Sequence, residues 1–95
     1  MDKQVFKLVW TDTFIRTARK FLKKHTDLTE LFAEVLKKLE TDPFEKSLKL
    51  HNLKGRLDGK QAVSLTYEYR IVLILMIEGS EVILLDVGSH DEVYR

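Results

Sequence analysis

The chain has 95 residues and a formal net charge of +1; 44% of its residues are hydrophobic and 33% charged. That length supports a single domain over residues 1–95, and the composition excludes disordered, collagen-like and mucin-like classes. There is no cysteine, which removes disulfide frameworks, thiolate zinc sites and cysteine catalysis together and fits a reducing compartment.

Gln4 to Trp10 alternates, with Val5, Lys7 and Val9 on one side and Phe6, Leu8 and Trp10 on the other, and predicts a strand. Thr11-Asp12-Thr13 supplies side-chain oxygens to cap a following helix. In that helix Phe14, Ala18, Phe21 and Leu22 form one apolar stripe, cations fill the other face, and His25 meets the negative end of the dipole. Asp27, with Glu30 three residues on, predicts a capping box for a second helix. Its stripe is Leu28, Leu31, Phe32, Val35, Leu36 and Leu39, and Asp42-Pro43 stops it.

Residues 44–60 are less regular, with a turn signal at Asp58-Gly59. Three β-rich runs follow: Ala62 to Tyr67, Tyr69 to Ile77, and Val82 to Val87 after the turn Glu78-Gly79-Ser80. The continuous run Ile71 to Ile77 predicts a central strand buried on both faces. The expected fold is therefore α+β: an N-terminal strand and a two-helix hairpin packed on a small antiparallel sheet of about four strands. That apolar run is far short of the ~20 residues a membrane span needs, and Lys3 and Lys7 interrupt any leader-like segment. A small cytoplasmic protein without membrane attachment is expected.

Charge is unevenly spread. Thr13 to His25 holds five cations (Arg16, Arg19, Lys20, Lys23, Lys24) and no acid. Lys46 to Lys60 holds five more (Lys46, Lys49, Lys54, Arg56, Lys60) against Asp58, while the segment from Ala62 onward is acidic despite Arg70 and Arg95. Two basic segments in a nearly neutral domain suit a polyanion if the fold brings them together. Phosphate-loop, dinucleotide, HExxH and EF-hand spacings are absent, so no metal or small-molecule cofactor is expected. Of the three histidines, His51 and His90 fall at element edges rather than on an apolar stripe. Near Arg70 and Lys54 they could form a metal-free acid–base site on a phosphodiester, because imidazole titrates near neutrality. Gly88-Ser89 reads as a flexible turn before His90, and a helical turn at the end would place Tyr94 on the same side as His90.

The segments Ala18-Arg19-Lys20-Phe21-Leu22-Lys23-Lys24, Asp42-Pro43 and Leu50-His51-Asn52-Leu53-Lys54-Gly55 resemble the RelE/ParE toxin superfamily of type II toxin–antitoxin systems. So do Tyr69-Arg70-Ile71-Val72 and Leu84 to Tyr94. The chain is most similar to the RelE and YafQ-like mRNA interferases. The resemblance implies a RelE-like, microbial-ribonuclease-like fold and ribosome-dependent cleavage of mRNA. It also implies a cognate antitoxin and contact with ribosomal RNA through Arg16, Arg19, Lys20, Lys23, Lys24, Lys54 and Arg56. It assigns catalytic positions to His51, Arg70, His90 and Tyr94, with Tyr94 the C-terminal aromatic that would stack on a base. Departures are Ser64 where YafQ-like members carry a second histidine, Glu68 for its following acid, and Asp86 for an arginine. ParE-like relatives inhibit DNA gyrase without catalysis, so a non-enzymatic inhibitor is the alternative, and an inactive antitoxin-binding relative a third possibility.

Overall fold

The computed structural model describes residues 5–94; Gln4, the expected start of the first strand, lies outside them, as do Lys3 and Arg95. In chain order the elements are β1 (Lys7–Trp10), α1 (Asp12–Lys24), α2 (Thr29–Thr41), β2 (His51–Asn52), β3 (Gln61–Ser64), β4 (Tyr69–Met76), β5 (Glu81–Ser89) and α3 (His90–Val93). One five-stranded sheet has the order β1-β5-β4-β3-β2. The α+β reading holds, with one strand more than expected. The extra strand is β2, two residues too short to show a period of its own. The sheet is also mixed: β3, β4 and β5 form the expected antiparallel meander, but β1 lies parallel to β5.

β4 sits at the centre of the sheet. Ile71 and Leu73 face the helices and Val72 the opposite side, all buried, as a strand covered on both faces requires. The expected burial does not extend to the end of the run: Met76 and Ile77 are exposed and the strand stops at Met76. On β5, Leu84 and Val87 both face the helices although they are three residues apart. A register shift opposite Val72 and Leu73 makes this possible, because Leu73 pairs with Leu84 and Val72 with Asp86, leaving Leu85 as the extra residue of a bulge.

α1 and α2 cover one sheet face through Phe14, Ala18, Phe21, Phe32, Val35, Leu36 and Leu39. Thr11 caps α1 as expected: its Oγ1 accepts from Phe14 N at 3.1 Å and donates to the Leu84 carbonyl at 2.7 Å, which ties the helix start to β5. The box expected at Asp27 and Glu30 does not form. Thr26–Leu28 closes a 3-10 turn instead, and α2 starts after Leu28 with no side-chain cap. Asp42 ends α2 as read from the sequence.

Beyond α2, Glu45 accepts from the Ser47 N–H at 2.7 Å, and the Lys38 ammonium lies 3.3 Å from Glu45 Oε1 and 3.0 Å from Ser47 Oγ. Hydrogen bonds from the Ser47 side chain and backbone, then Lys38, lower the Glu45 pKa from 4.5 to about 2. A depressed carboxyl stabilises the fold above its ordinary pKa and loses that contribution as pH falls towards the folded value. Glu45→Gln should therefore flatten the stability profile between pH 4.5 and about 2, measured by urea midpoints across that range; an unchanged profile would show that this clamp is not coupled to folding.

Candidate active site

On neighbouring antiparallel strands, directly opposed residues point to the same sheet face, and so do residues two apart on one strand. His51 opposes Ala62, which opposes Val72. Ser64 opposes Arg70, which opposes Gly88. His51, Ser64 and Arg70 thus share with Ala62 and Val72 the face that α1 and α2 do not cover. A second apolar cluster sits on that face: Leu53, Ala62, Val72 and Val93, with Leu57, Leu85 and Tyr94 packed against it. It clamps α3 and the 53–57 segment onto the sheet, and Lys54 and Arg56 stand exposed on that segment.

α3 begins with a capping box. The Ser89 side chain accepts from Glu92 N at 3.2 Å, and Glu92 Oε1 accepts from Ser89 N at 2.8 Å. These Ser89 hydrogen bonds, with Lys24 and Lys20 nearby, hold the Glu92 carboxyl below its usual range. Gly88 is not part of a flexible turn; it and Ser89 are the last residues of β5, and Gly88 is buried. Its role is close approach, since a Cβ there would lie 2.9 Å from Glu92 Oε1 and 3.4 Å from Val93 Cγ1.

The short helix brings His90 and Tyr94 together, as their spacing predicts: the rings meet edge to face at 4.4 Å. His90 is exposed, with Nδ1 3.6 Å from Asp91 Oδ1. The Tyr94 hydroxyl is buried and lacks a well-formed hydrogen bond. Burial raises its pKa, and the Arg70 charge beside it offsets part of that rise. Arg70 is not paired with Glu68 or Asp86. Its Nη1 donates to the carbonyls of Thr66 and Tyr67, both at 2.8 Å, and of Tyr69 at 3.2 Å. His51 is exposed, and its Nδ1 lies 3.0 Å from the Lys49 carbonyl. A carbonyl only accepts, so Nδ1 carries the proton and Nε2 presents its lone pair outward.

The two basic segments approach α3 from different sides. Arg16, Arg19, Lys20, Lys23 and Lys24 are all exposed on α1. Lys20 and Lys24 line a groove of about 610 Å³ together with Asp86, Gly88, Ser89 and Glu92. Phe21, His25 and Tyr69 form its aromatic wall, with ring centroids 4.6–5.0 Å apart. His25 is thus a helix-end residue held between two rings. Asp86, where the resemblance has arginine, is half-buried; desolvation raises its pKa against a hydrogen bond from Val87 N at 2.9 Å. Sequence reasoning overlooked the structural parts: Gly88, the Ser89–Glu92 box, and Lys49, whose left-handed backbone (φ 53) aims its carbonyl at His51. The serine with a glutamate three residues on was the available signal for the box.

Residues 6–95 match the family described as the YafQ bacterial toxin of type II toxin–antitoxin systems. The chain belongs to the YafQ toxin family. Among curated proteins no sequence matches it. Solved structures share its fold. A YoeB/ParE toxin from Agrobacterium tumefaciens is 22% identical, covers 90% of this chain and 99% of its own, and superposes with a TM-score of 0.74. YafQ from E. coli gives 13% identity, 95% and 99% coverage and a TM-score of 0.72. The RelBE2 toxin–antitoxin complex from Mycobacterium tuberculosis gives 19%, 94% and 95% coverage, and 0.70. No described helix of this YafQ-family chain is long and apolar enough to cross a membrane.

Proposed function

We propose that this YafQ-family toxin is a cytoplasmic, ribosome-dependent mRNA endoribonuclease that works by acid–base catalysis without a cofactor and is silenced by a cognate antitoxin. The observation that supports it most is that His51, Arg70 and the His90–Tyr94 pair share the sheet face the long helices leave open. The 2′-oxygen of a bound nucleotide attacks the adjacent phosphorus and passes its proton to His51 Nε2. The bond from phosphorus to the 5′-oxygen breaks, and His90 protonates that oxygen, leaving a 2′,3′-cyclic phosphate and a 5′-hydroxyl. Imidazoles suit both transfers at neutral pH.

Arg70 is braced by the loop carbonyls on Nη1, so the rest of its guanidinium opposes charge on the phosphoryl oxygens without reorganising; Lys54 adds a second cation. Tyr94, half-buried against the apolar cluster with its ring edge to face on His90, positions that imidazole in this reading, in place of the base stacking expected of it from the resemblance. The exposed basic surface is what an acidic antitoxin would cover, and one structural neighbour was solved as a toxin–antitoxin complex. Mapping mRNA 5′ ends after induction tests the reading: cuts phased to the ribosome support it, whereas intact mRNA with double-strand DNA breaks would assign a gyrase-inhibiting role.

The basic helix carries a separate expectation. Replacing Arg16, Arg19 and Lys23 with glutamine should weaken ribosome co-sedimentation and reduce the salt slope of log affinity by about 0.7–0.9 for each phosphate left without its cation. The fold should survive, because these side chains oppose the buried stripe. Identical sedimentation at low and high salt would show that the cations are only a solvated surface.

A further inference from the structure

We propose that a groove beside the candidate active face seats the nucleotide next to the cut, its base on Tyr67 and its phosphate on Lys49 and Arg70. The inference rests on the RNA-cleaving reading above and adds a subsite to it. The groove, about 390 Å³, runs between α2, residues 47–49 and the loop joining β3 to β4; Lys38, Lys49, Ser64, Thr66, Tyr67 and Arg70 line it. No acidic side chain lines it among the described residues. The Lys38 charge is matched by Glu45 at 3.3 Å, so the surplus positive charge belongs to Lys49 and Arg70.

Tyr67 is 93% exposed, far more than any other large hydrophobic side chain among the described residues. The loop beneath it is stiff. Arg70 holds the carbonyls of Thr66 and Tyr67, and Thr66 Oγ1 accepts from the N–H groups of Glu68 and Tyr69, both at 3.2 Å. A ring carried on a hydrogen-bonded loop and open to solvent, with cations beside it and the Ser64 and Thr66 hydroxyls in the groove, fits a single-stranded nucleotide. The base finds a stacking face, the phosphate finds charge, and the ribose finds hydroxyl partners.

Two residues join this groove to the active face. Arg70 borders both. Lys49 lines the groove while its carbonyl, 3.0 Å from His51 Nδ1, sets the tautomer of the proposed base. A non-glycine residue in the left-handed region costs energy and persists only where its surroundings hold it, and here the strained position serves both sites. A nucleotide seated on Tyr67 would thereby continue onto the face that carries His51 and Arg70.

The test is an NMR titration of the whole chain with a trinucleotide methylated at the reacting 2′-oxygen, which binds but cannot be cut. The Tyr67 ring and Lys49 resonances should shift. Tyr67→Ala should weaken binding ~5-fold to ~100-fold, the range that one stacked base supplies. Tyr67→Trp should restore it. Binding is read without cleavage, so loss of the nuclease reading and loss of the groove are separable. Full-strength binding by Tyr67→Ala, or an unmoved Tyr67 ring at millimolar trinucleotide, overturns the groove assignment even if the protein cleaves mRNA.

Discussion

Glutamine in place of His90 is expected to slow single-turnover cleavage of ribosome-bound mRNA by ~10²–10⁴, or about 3–5 kcal/mol of barrier, the usual contribution of a positioned general acid. Glutamine keeps the bulk and polarity of imidazole but cannot donate a proton and recover it. The fold should hardly respond. The His90 side chain is 64% exposed, and the hydrogen bond from Tyr94 N to the His90 carbonyl belongs to the backbone. Surface substitutions of this kind usually stay within about 0.5 kcal/mol. His51→Ala should cost less, because the exposed Nε2 site is open to a water or a ribosomal group that shares the role of base. Cleavage by His90→Gln at the native rate would sink the acid assignment and favour a toxin that acts by contact alone.

Local pattern carried much of this molecule. Phe14, Ala18 and Phe21 repeat at helical spacing and are buried; of the continuous apolar run Ile71 to Ile77, Ile71, Val72 and Leu73 are buried on both faces of β4, whereas Met76 and Ile77 are exposed. His90 and Tyr94 are one helical turn apart, and their rings touch. What escaped depends on distant parts of the chain. β1 pairs with β5 across the whole intervening sequence, a partner that no window of residues reveals. Asp27 with Glu30, and Ser89 with Glu92, carry the same local signal, yet only the second forms a box. At Asp27 a 3-10 turn fixes the entry to α2, whereas at Ser89 the strand delivers the cap in extended conformation.

The candidate site divides the same way. Charge clustering and histidine placement are properties of the sequence. The anchoring of Arg70 on three carbonyls and the turn of the Lys49 carbonyl to His51 arise only when the β3–β4 loop and the 46–48 turn are in place. Neither has a signature in residue type, because both use backbone oxygens. The sequence reading of Gly88 failed for a related reason. Its value lies in what approaches it, not in its own dihedral freedom.

Gly88→Val is accordingly the substitution expected to disturb both fold and site. Its branches would extend from a Cβ already 3.4 Å from Val93 Cγ1 and 2.9 Å from Glu92 Oε1. Overpacking of this kind costs about 1–3 kcal/mol, and relief requires α3 to lift from Leu53, Ala62 and Val72. His90 and Tyr94 ride on α3, and a displacement of ~1 Å can cost ~10² in rate, so cleavage should fall further than stability alone explains. Gly88→Ala gives a graded version. The nearest atom it meets is the Glu92 carboxylate, which can move only by giving up its 2.8 Å hydrogen bond from Ser89 N. Alanine should then cost roughly what a lost cap costs, about 0.5–2 kcal/mol. In a double-mutant cycle with Glu92→Ala the conflict disappears, so the pair should cost less than the sum by at least ~0.5 kcal/mol. Urea midpoints of the four proteins measure this coupling. Strict additivity would show that Glu92 swings aside freely and that a glycine is not what lets α3 close over the sheet.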